Sequence, residues 1–237
     1  MSAYNEIIKE LRGLDNPEKA KLLAGFFKTG KGEYGAGDKF LGIVVPAQRK
    51  VVKKYGQLNL PDIQKLLQSP YHEFRLTGLL ILVEKFAQAD EKTQKYFFKF
   101  YLKNTPYINN WDLVDLTAPK IVGEYLLNKP AERKILYKLA RSKNLWERRI
   151  AILATFAFIR QDDFSDTLKI AAILLQDKYD LIHKAVGWAL REVGKRDQKT
   201  AELFLQKHLL KMPRTTLRYA IERFPEEKRR SYLKKIA

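Results

Sequence analysis

Four segments of the chain open alike: YHEFRLTGLLIL, NLWERRIAILAT, LIHKAVGWALRE and RTTLRYAIERF. Each begins with a cation followed by a run of small and large apolar residues. Aligned on Arg75, Arg149, Lys184 and Arg218, the steps between them are 74, 35 and 34. The first step divides into two units of 37, and the midpoint falls on Asp112. A period of this length constrains the fold more than any other feature. One unit is a pair of helices, too small to bury its own apolar face, so neighbouring units must stack to form a core.

The rest of the chain agrees with helices. YNEIIKELRGL places Ile7, Ile8 and Leu11 at helical spacing, and LPDIQKLLQ does the same with Ile63, Leu66 and Leu67. FRLTGLLILVEKF is apolar nearly all round, as a fully buried helix is. Pro17, Pro46, Pro61, Pro70, Pro106, Pro130, Pro213 and Pro225 fall mostly between these segments, and alternating strand patterns with hairpin turns are not evident. The reading is an all-α protein, an α-solenoid of HEAT-like helical repeats, forming one domain over residues 1–237. It comprises N-terminal helices in 1–30, a Gly-rich loop at 30–40 and the repeats in 41–237. Stacking would align the cation-bearing helices along one wall of a basic concave cleft. That wall would carry Arg75, Arg148, Arg149, Lys184, Arg191, Arg214 and Arg218. Some of these cations would instead pair with neighbours, as Arg218 and Glu222 can at i,i+4.

The charge balance suggests what the wall meets. Lys and Arg number 45 against 27 Asp and Glu, a net charge of +18. Such an excess implies an anionic partner: nucleic acid, a membrane surface or an acidic protein. No apolar run approaches the roughly 18 residues of a membrane span, and the first residues lack the apolar core of a secretion signal. Nucleic acid is therefore favoured over membrane. Cysteine is absent, which excludes disulfides and thiolate metal sites and fits a reducing, cytoplasmic setting. His72, His183 and His208 lie too far apart for a local histidine metal motif.

TGKGEYGAGDKFLG contains Gly30, Gly32 and Gly35 in G-x-G-x-x-G order. A dinucleotide site also needs a preceding strand and a βαβ unit, and neither is present. The segment reads as a flexible loop, either a linker or a set of N–H groups that can approach a phosphate backbone. Trp111, Trp146 and Trp188 lie near the starts or middles of the cation-bearing helices. Trp146 reads as a packing residue, whereas Lys184 and Trp188 are one helical turn apart on one face. An aromatic beside a cation suits contact with a nucleic-acid sugar or base.

NNWDLVDLTAPKIVG is unusual for a basic chain because it sets Trp111, Asp112 and Asp115 close together. Asp112, near the helix start, is favourable for the helix dipole or for pairing with an arginine. Asp115 is one turn further in, where aspartate is a poor helix former. It shares the face of Trp111 at i,i+4. Two roles fit it: an ion pair with a cation of the next repeat, Arg149 above all, or a carboxylate that faces a positive charge in a substrate.

FLGIVVPAQRK (residues 40–50), NNWDLVDLTAP, NLWERRIAIL and IHKAVGWALRE resemble, in order and approximate spacing, the AlkD-type DNA alkylation-repair glycosylases over essentially the whole chain. The resemblance implies HEAT-like repeats that cradle duplex DNA and release cationic alkylated purines, N3-alkyladenine and N7-alkylguanine. It implies Asp115 as the catalytic aspartate, Trp111 and Trp188 as the aromatic residues beside it, and Arg149 as the key arginine with Arg148 next to it. Lys184, Arg191, Arg75, Arg214 and Arg218 would be DNA-binding. Two positions depart from the family pattern: Val44 stands where a polar residue can follow FLGI, and Phe26 where a tyrosine can stand. Both bear on lesion preference and turnover.

These residue types suit the chemistry. A cationic alkylpurine leaves as a neutral base and needs no general acid. As the glycosidic bond stretches, positive charge moves onto the deoxyribose. An ionised carboxylate near the sugar stabilises that charge and can orient the attacking water. No metal or other cofactor is required, and no Schiff base, so a monofunctional enzyme is expected, acting as a monomer on double-stranded DNA. Two other readings use the same fold: a non-catalytic solenoid that binds bent, branched or damaged DNA, and a protein-interaction scaffold, which needs neither the charge nor Asp115.

Overall fold

The computed structural model describes residues 2–234. Among them the chain is helical, with a single isolated bridge between Lys39 and Tyr71 and no β-strand. The all-α expectation holds. The chain divides into two compact units, residues 1–117 and 118–237.

The first unit is organised around the helix His72–Gln88. Its Phe74, Leu76, Leu79, Leu80, Ile81, Leu82 and Phe86 are all at most 3 % exposed, so both polar and apolar neighbours must fit around a helix with almost no solvent face. The helices Val45–Lys54, Leu60–Leu67 and Glu91–Lys103 pack on it. Starts are set locally. Asn16, Asn59 and Asp90 each accept a hydrogen bond from the backbone N–H three positions on, which satisfies one of the donors a helix start leaves over. Pro17, Pro46 and Pro61 occupy first-turn positions, where a missing N–H costs nothing.

The glycine-rich segment is more than a flexible connector. Lys39 N–H donates to the Pro70 carbonyl at 3.0 Å, and His72 N–H donates to the Lys39 carbonyl at 2.8 Å. The end of the loop is thereby tied to the start of the central helix. Just beyond it, the buried Glu73 carboxylate accepts from the N–H groups of Leu41, Gly42 and Ile43 at 2.8–3.2 Å. Gly42 adopts φ +85°, and a Cβ there would lie 2.2 Å from the Asn16 carbonyl oxygen, so no other residue fits.

In the second unit the helix Asp180–Arg196 packs against Leu145–Ala154, Ser165–Leu174, Gln198–His208 and Arg214–Ala220. Gly187 permits the approach of the last of these: a Cβ at Gly187 would meet the Tyr219 Cβ at 2.5 Å and the Thr216 carbonyl oxygen at 2.6 Å. Trp188, the next residue along, is therefore carried on a tightly seated helix.

The structure also shifts the repeat register. Arg75 is the fourth residue of its helix, as Arg148 is of Leu145–Ala154. Both guanidiniums reach back to a serine carbonyl oxygen just before the helix, Ser69 and Ser142, and both hold an aspartate. His183 has the same place, with Nε2 against the Asp177 carbonyl oxygen. Arg149, Lys184 and Arg218 are fifth residues, and so is Asp115 in the helix Trp111–Asp115. The steps from Asp115 to Arg149, on to Lys184 and on to Arg218 are then nearly equal. Asp115, not Asp112, is the acid in the position of the cations.

Candidate functional site

The helix Trp111–Asp115 has only 5 residues, far below the length at which a helix is stable alone. Its middle three residues, Asp112, Leu113 and Val114, are buried, while Trp111 and Asp115 at its two ends are partly exposed. The i,i+4 spacing thus places both expected residues on the accessible side. Below them Tyr101 is fully buried and bonded to Thr117 at 2.9 Å. Burial pushes the Tyr101 phenol well up, with the Asp115 charge adding to the rise, so Tyr101 stays neutral.

The Trp111 ring is built into an aromatic group. Phe27 stacks on it with centroids 5.1 Å apart and planes at 20°, and Phe26 meets it edge-on at 5.8 Å. Phe27 also stacks on Phe40, and Phe40 on His72. Phe26 is 63 % exposed, so its ring extends the aromatic surface beside Trp111 into solvent. Val44 is also exposed and precedes the helix Val45–Lys54 without capping it through its side chain.

A buried charged network lies under Trp111. His72, 2 % exposed, has Nε2 at 2.8 Å from Asp112 Oδ2 and Nδ1 at 3.2 Å from Asp38 Oδ2. Asp38 also accepts from Arg75 Nη2 at 2.7 Å and Asn110 Nδ2 at 3.2 Å. Asn110, fully buried, accepts from the Trp111 backbone N–H at 2.8 Å, and Asp112 Oδ1 from the Leu113 N–H at 2.8 Å. Burial alone would lower His72, but its hydrogen bonds to Asp112 and Asp38 outweigh this and raise it above its ordinary value. Burial alone would raise Asp38; His72, Arg75 and Asn110 outweigh it and hold the carboxyl below its ordinary value. The sequence offered Asp112 either a helix-start role or an arginine partner; its side-chain partner is His72, and its other oxygen accepts from the Leu113 N–H in the first turn. Both ring nitrogens and both aspartates are engaged with one another, and no metal-binding group of His, Asp and Glu occurs among the described residues.

Two of the expected DNA-binding cations, Arg75 and Arg148, are buried and held within the fold. Arg75 is 3 % exposed and tied to Asp38 and Ser69. Arg148 is 8 % exposed, paired with Asp177 at 2.5 Å and bonded to the Ser142 and Lys143 carbonyls. Both guanidiniums hold helix starts in place and present almost no surface. Arg149, 5 % exposed, donates through Nη1 to the Leu181 carbonyl.

The other expected residues of the second unit are more accessible. Trp188 is half-buried, donates through Nε1 to Glu192 at 3.1 Å and meets Phe156 edge-on at 4.8 Å. Trp146 is buried, in agreement with a packing role. Lys184 pairs with Asp180 at 2.8 Å, and Arg191 with Glu222, which was the expected partner of Arg218. Arg214 and Arg218 are exposed. Lys184 and Arg218 line a depression of about 570 Å³ together with Asp180, Thr215, Tyr219 and Glu222.

The sequence expectations omitted Phe27, Phe40, Asp38 and His72. Asp38 and Asp112 stand far apart in the chain with no pattern linking them, and an isolated histidine at a helix start carries no signal of its own. No helix of the described residues is long and apolar enough to cross a membrane.

Known proteins share the fold. The chain is similar in structure to a predicted DNA alkylation repair enzyme from Enterococcus faecalis, with a TM-score of 0.70 at 17% identity, covering 90% of this chain and 97% of that one. No curated protein matches it. The family model described as DNA alkylation repair enzyme matches residues 7–224, and the chain belongs to that family.

Proposed function

We propose that the protein is a monofunctional DNA glycosylase that hydrolyses the N-glycosidic bond of cationic alkylated purines, N3-alkyladenine and N7-alkylguanine, in double-stranded DNA. The observation that carries this reading is the accessible Trp111–Asp115 pair on a short, otherwise buried helix in a chain of net charge +18. In this reading Asp115 faces the deoxyribose as it becomes cationic, and orients water toward C1′. Trp111, with Phe26 beside it, presents a flat aromatic surface to the sugar and limits solvent there. Trp188 adds an aromatic contact to the DNA. The nearly constant step from Asp115 to Arg218 supports HEAT-like stacking of helix pairs.

The contacts to phosphate are assigned to the accessible cations Lys184, Arg191, Arg214 and Arg218. Lys184 and Arg191 each have an acidic partner to exchange for phosphate, and Arg214 and Arg218 are exposed. Arg149 is assigned the bond to the Leu181 carbonyl at the start of the helix Asp180–Arg196, with any phosphate contact made through the small part of it that is exposed. The chemistry requires no metal, nucleotide or Schiff-base lysine.

The test is release of free base from duplex DNA containing N7-methylguanine, with the backbone assayed for strand cleavage. The reading predicts free base and an intact abasic strand. Tight, salt-sensitive binding without base release would favour the non-catalytic DNA-binding reading.

A further inference from the structure

We propose that His72, as an imidazolium clamped between Asp38 and Asp112, is the positioning residue that sets Trp111 and Asp115 for the reaction. The inference deepens the glycosylase reading and rests on it for its catalytic consequence.

A ring nitrogen facing a carboxylate must donate, and His72 faces one on each side, at 2.8 and 3.2 Å. Between two ionised carboxylates, only the doubly protonated ring can make both bonds. The two carboxylates come from different parts of the first unit: Asp38 from the end of the glycine-rich loop and Asp112 from the second position of the Trp111 helix. The imidazolium is therefore the joint between them. On its own helix the charged neighbour is Arg75, which pairs with Asp38. The ring faces are covered by Phe27, tilted at 4.9 Å, and Phe40, stacked at 4.7 Å. Phe27 is also the ring stacked on Trp111. His72 thus controls the Trp111 helix by two routes, a charged hydrogen bond to its backbone-capping aspartate and an aromatic stack to its first side chain.

Loss of the proton to solvent removes one of the two bonds and leaves a buried carboxylate facing a lone pair. The clamp then opens at the helix whose ends carry Trp111 and Asp115. The folded pKa of His72 is raised, so the clamp is complete below the ordinary histidine value and is lost as pH rises through the higher folded value.

The experiment reads the clamp first and the reaction second. In the intact ¹⁵N-labelled protein, long-range ¹H–¹⁵N spectra distinguish a doubly protonated imidazole from a neutral one, and His183 and His208 serve as internal references. The expected result is both His72 nitrogens protonated at neutral pH, with a titration midpoint above 6.5. The Trp111 indole resonance should move with the same midpoint. A neutral His72 at pH 6, or a Trp111 signal that ignores the titration, would overturn the proposal. Single-turnover base release from N7-methylguanine duplex should lose rate with that midpoint, while DNA affinity does not follow it. A rate independent of pH through the midpoint would also overturn it. His72→Gln keeps one donor; it should slow the step about ten- to hundred-fold, the scale of small misplacements of reacting groups, with little change in DNA affinity. Absence of base release at every pH, with the NMR result as expected, would contradict the glycosylase reading while leaving the clamp established.

Discussion

Phe27 lies face to face with Trp111, ring centroids 5.1 Å apart and planes at 20°. The contact joins the end of the helix Pro17–Phe26 to the short helix of the candidate site, two segments far apart in the chain. It also places Trp111 on top of the Phe27–Phe40–His72 column. Phe27→Leu should keep the bulk of the core but lose the stacking, costing about 1 kcal/mol beyond area effects. Near-UV circular dichroism would show the loss of the Trp111 environment, and a urea midpoint the loss of stability. An unchanged near-UV spectrum would contradict the view that Phe27 orients Trp111.

The buried Asp38–His72 pair makes stability depend on pH at both ends. His72 is raised in the folded protein, so its contribution is complete below its ordinary value of 6.5 and declines as pH rises through the folded value. Asp38 is lowered, so its contribution is complete above its ordinary value of 3.8 and declines as pH falls through the folded value. The pair therefore supports the fold most between pH 3.8 and 6.5. Urea midpoints for wild type and His72→Gln, measured from this range up through the folded His72 value, should be separated between pH 3.8 and 6.5 and converge above the folded value.

Much of the architecture was legible because helical periodicity and the recurrence of cation-led helices are properties of local sequence. The buried helix from His72 to Gln88 and the accessible Trp111–Asp115 face could be anticipated from spacing alone. The repeat register was not. Arg75 and Arg149 look interchangeable as cations, but one lies at the fourth and the other at the fifth position of its helix, and those positions point differently. Arg148 and Arg75 likewise look like surface charge in a sequence. Their burial becomes visible only when Asp177 and Asp38, distant in the chain, are found against them. The His72 clamp was illegible for the same reason.

Gly187 should tolerate no side chain. A Cβ would press on Tyr219 and Thr216 at 2.5 and 2.6 Å, and both contacts lie on a packed helix that cannot retreat freely. Gly187→Ala is expected to cost about 1–3 kcal/mol by overpacking, read as a lower thermal midpoint. Gly25→Ala, where a Cβ meets nothing within 4 Å, is the matched control and should leave the midpoint unchanged or raised.

The cations divide into two classes with different salt behaviour. Arg218→Ala should weaken DNA binding of all sequences and reduce the slope of log affinity against log salt by about one, as removal of one phosphate contact does. Arg148→Ala should instead lower stability by about 3 kcal/mol, because Asp177 would be left buried without its charge partner. Fluorescence anisotropy over a salt series, with urea denaturation of the same proteins, separates the two. A full loss of one salt contact on Arg148→Ala without destabilisation would reverse the assignment.

Single-turnover release of N7-methylguanine from duplex DNA by wild type and Asp115→Asn, at DNA-saturating protein concentration, tests the catalytic assignment most directly. Release by the wild type is expected, with a rate at least about a hundred-fold lower for Asp115→Asn, the scale lost when one electrostatic stabiliser of a transition state is removed. DNA affinity should be equal or higher in the variant, since a negative charge near the backbone is gone. Release by Asp115→Asn at the wild-type rate would contradict the role of Asp115, and no release by DNA-bound wild type would contradict the glycosylase itself.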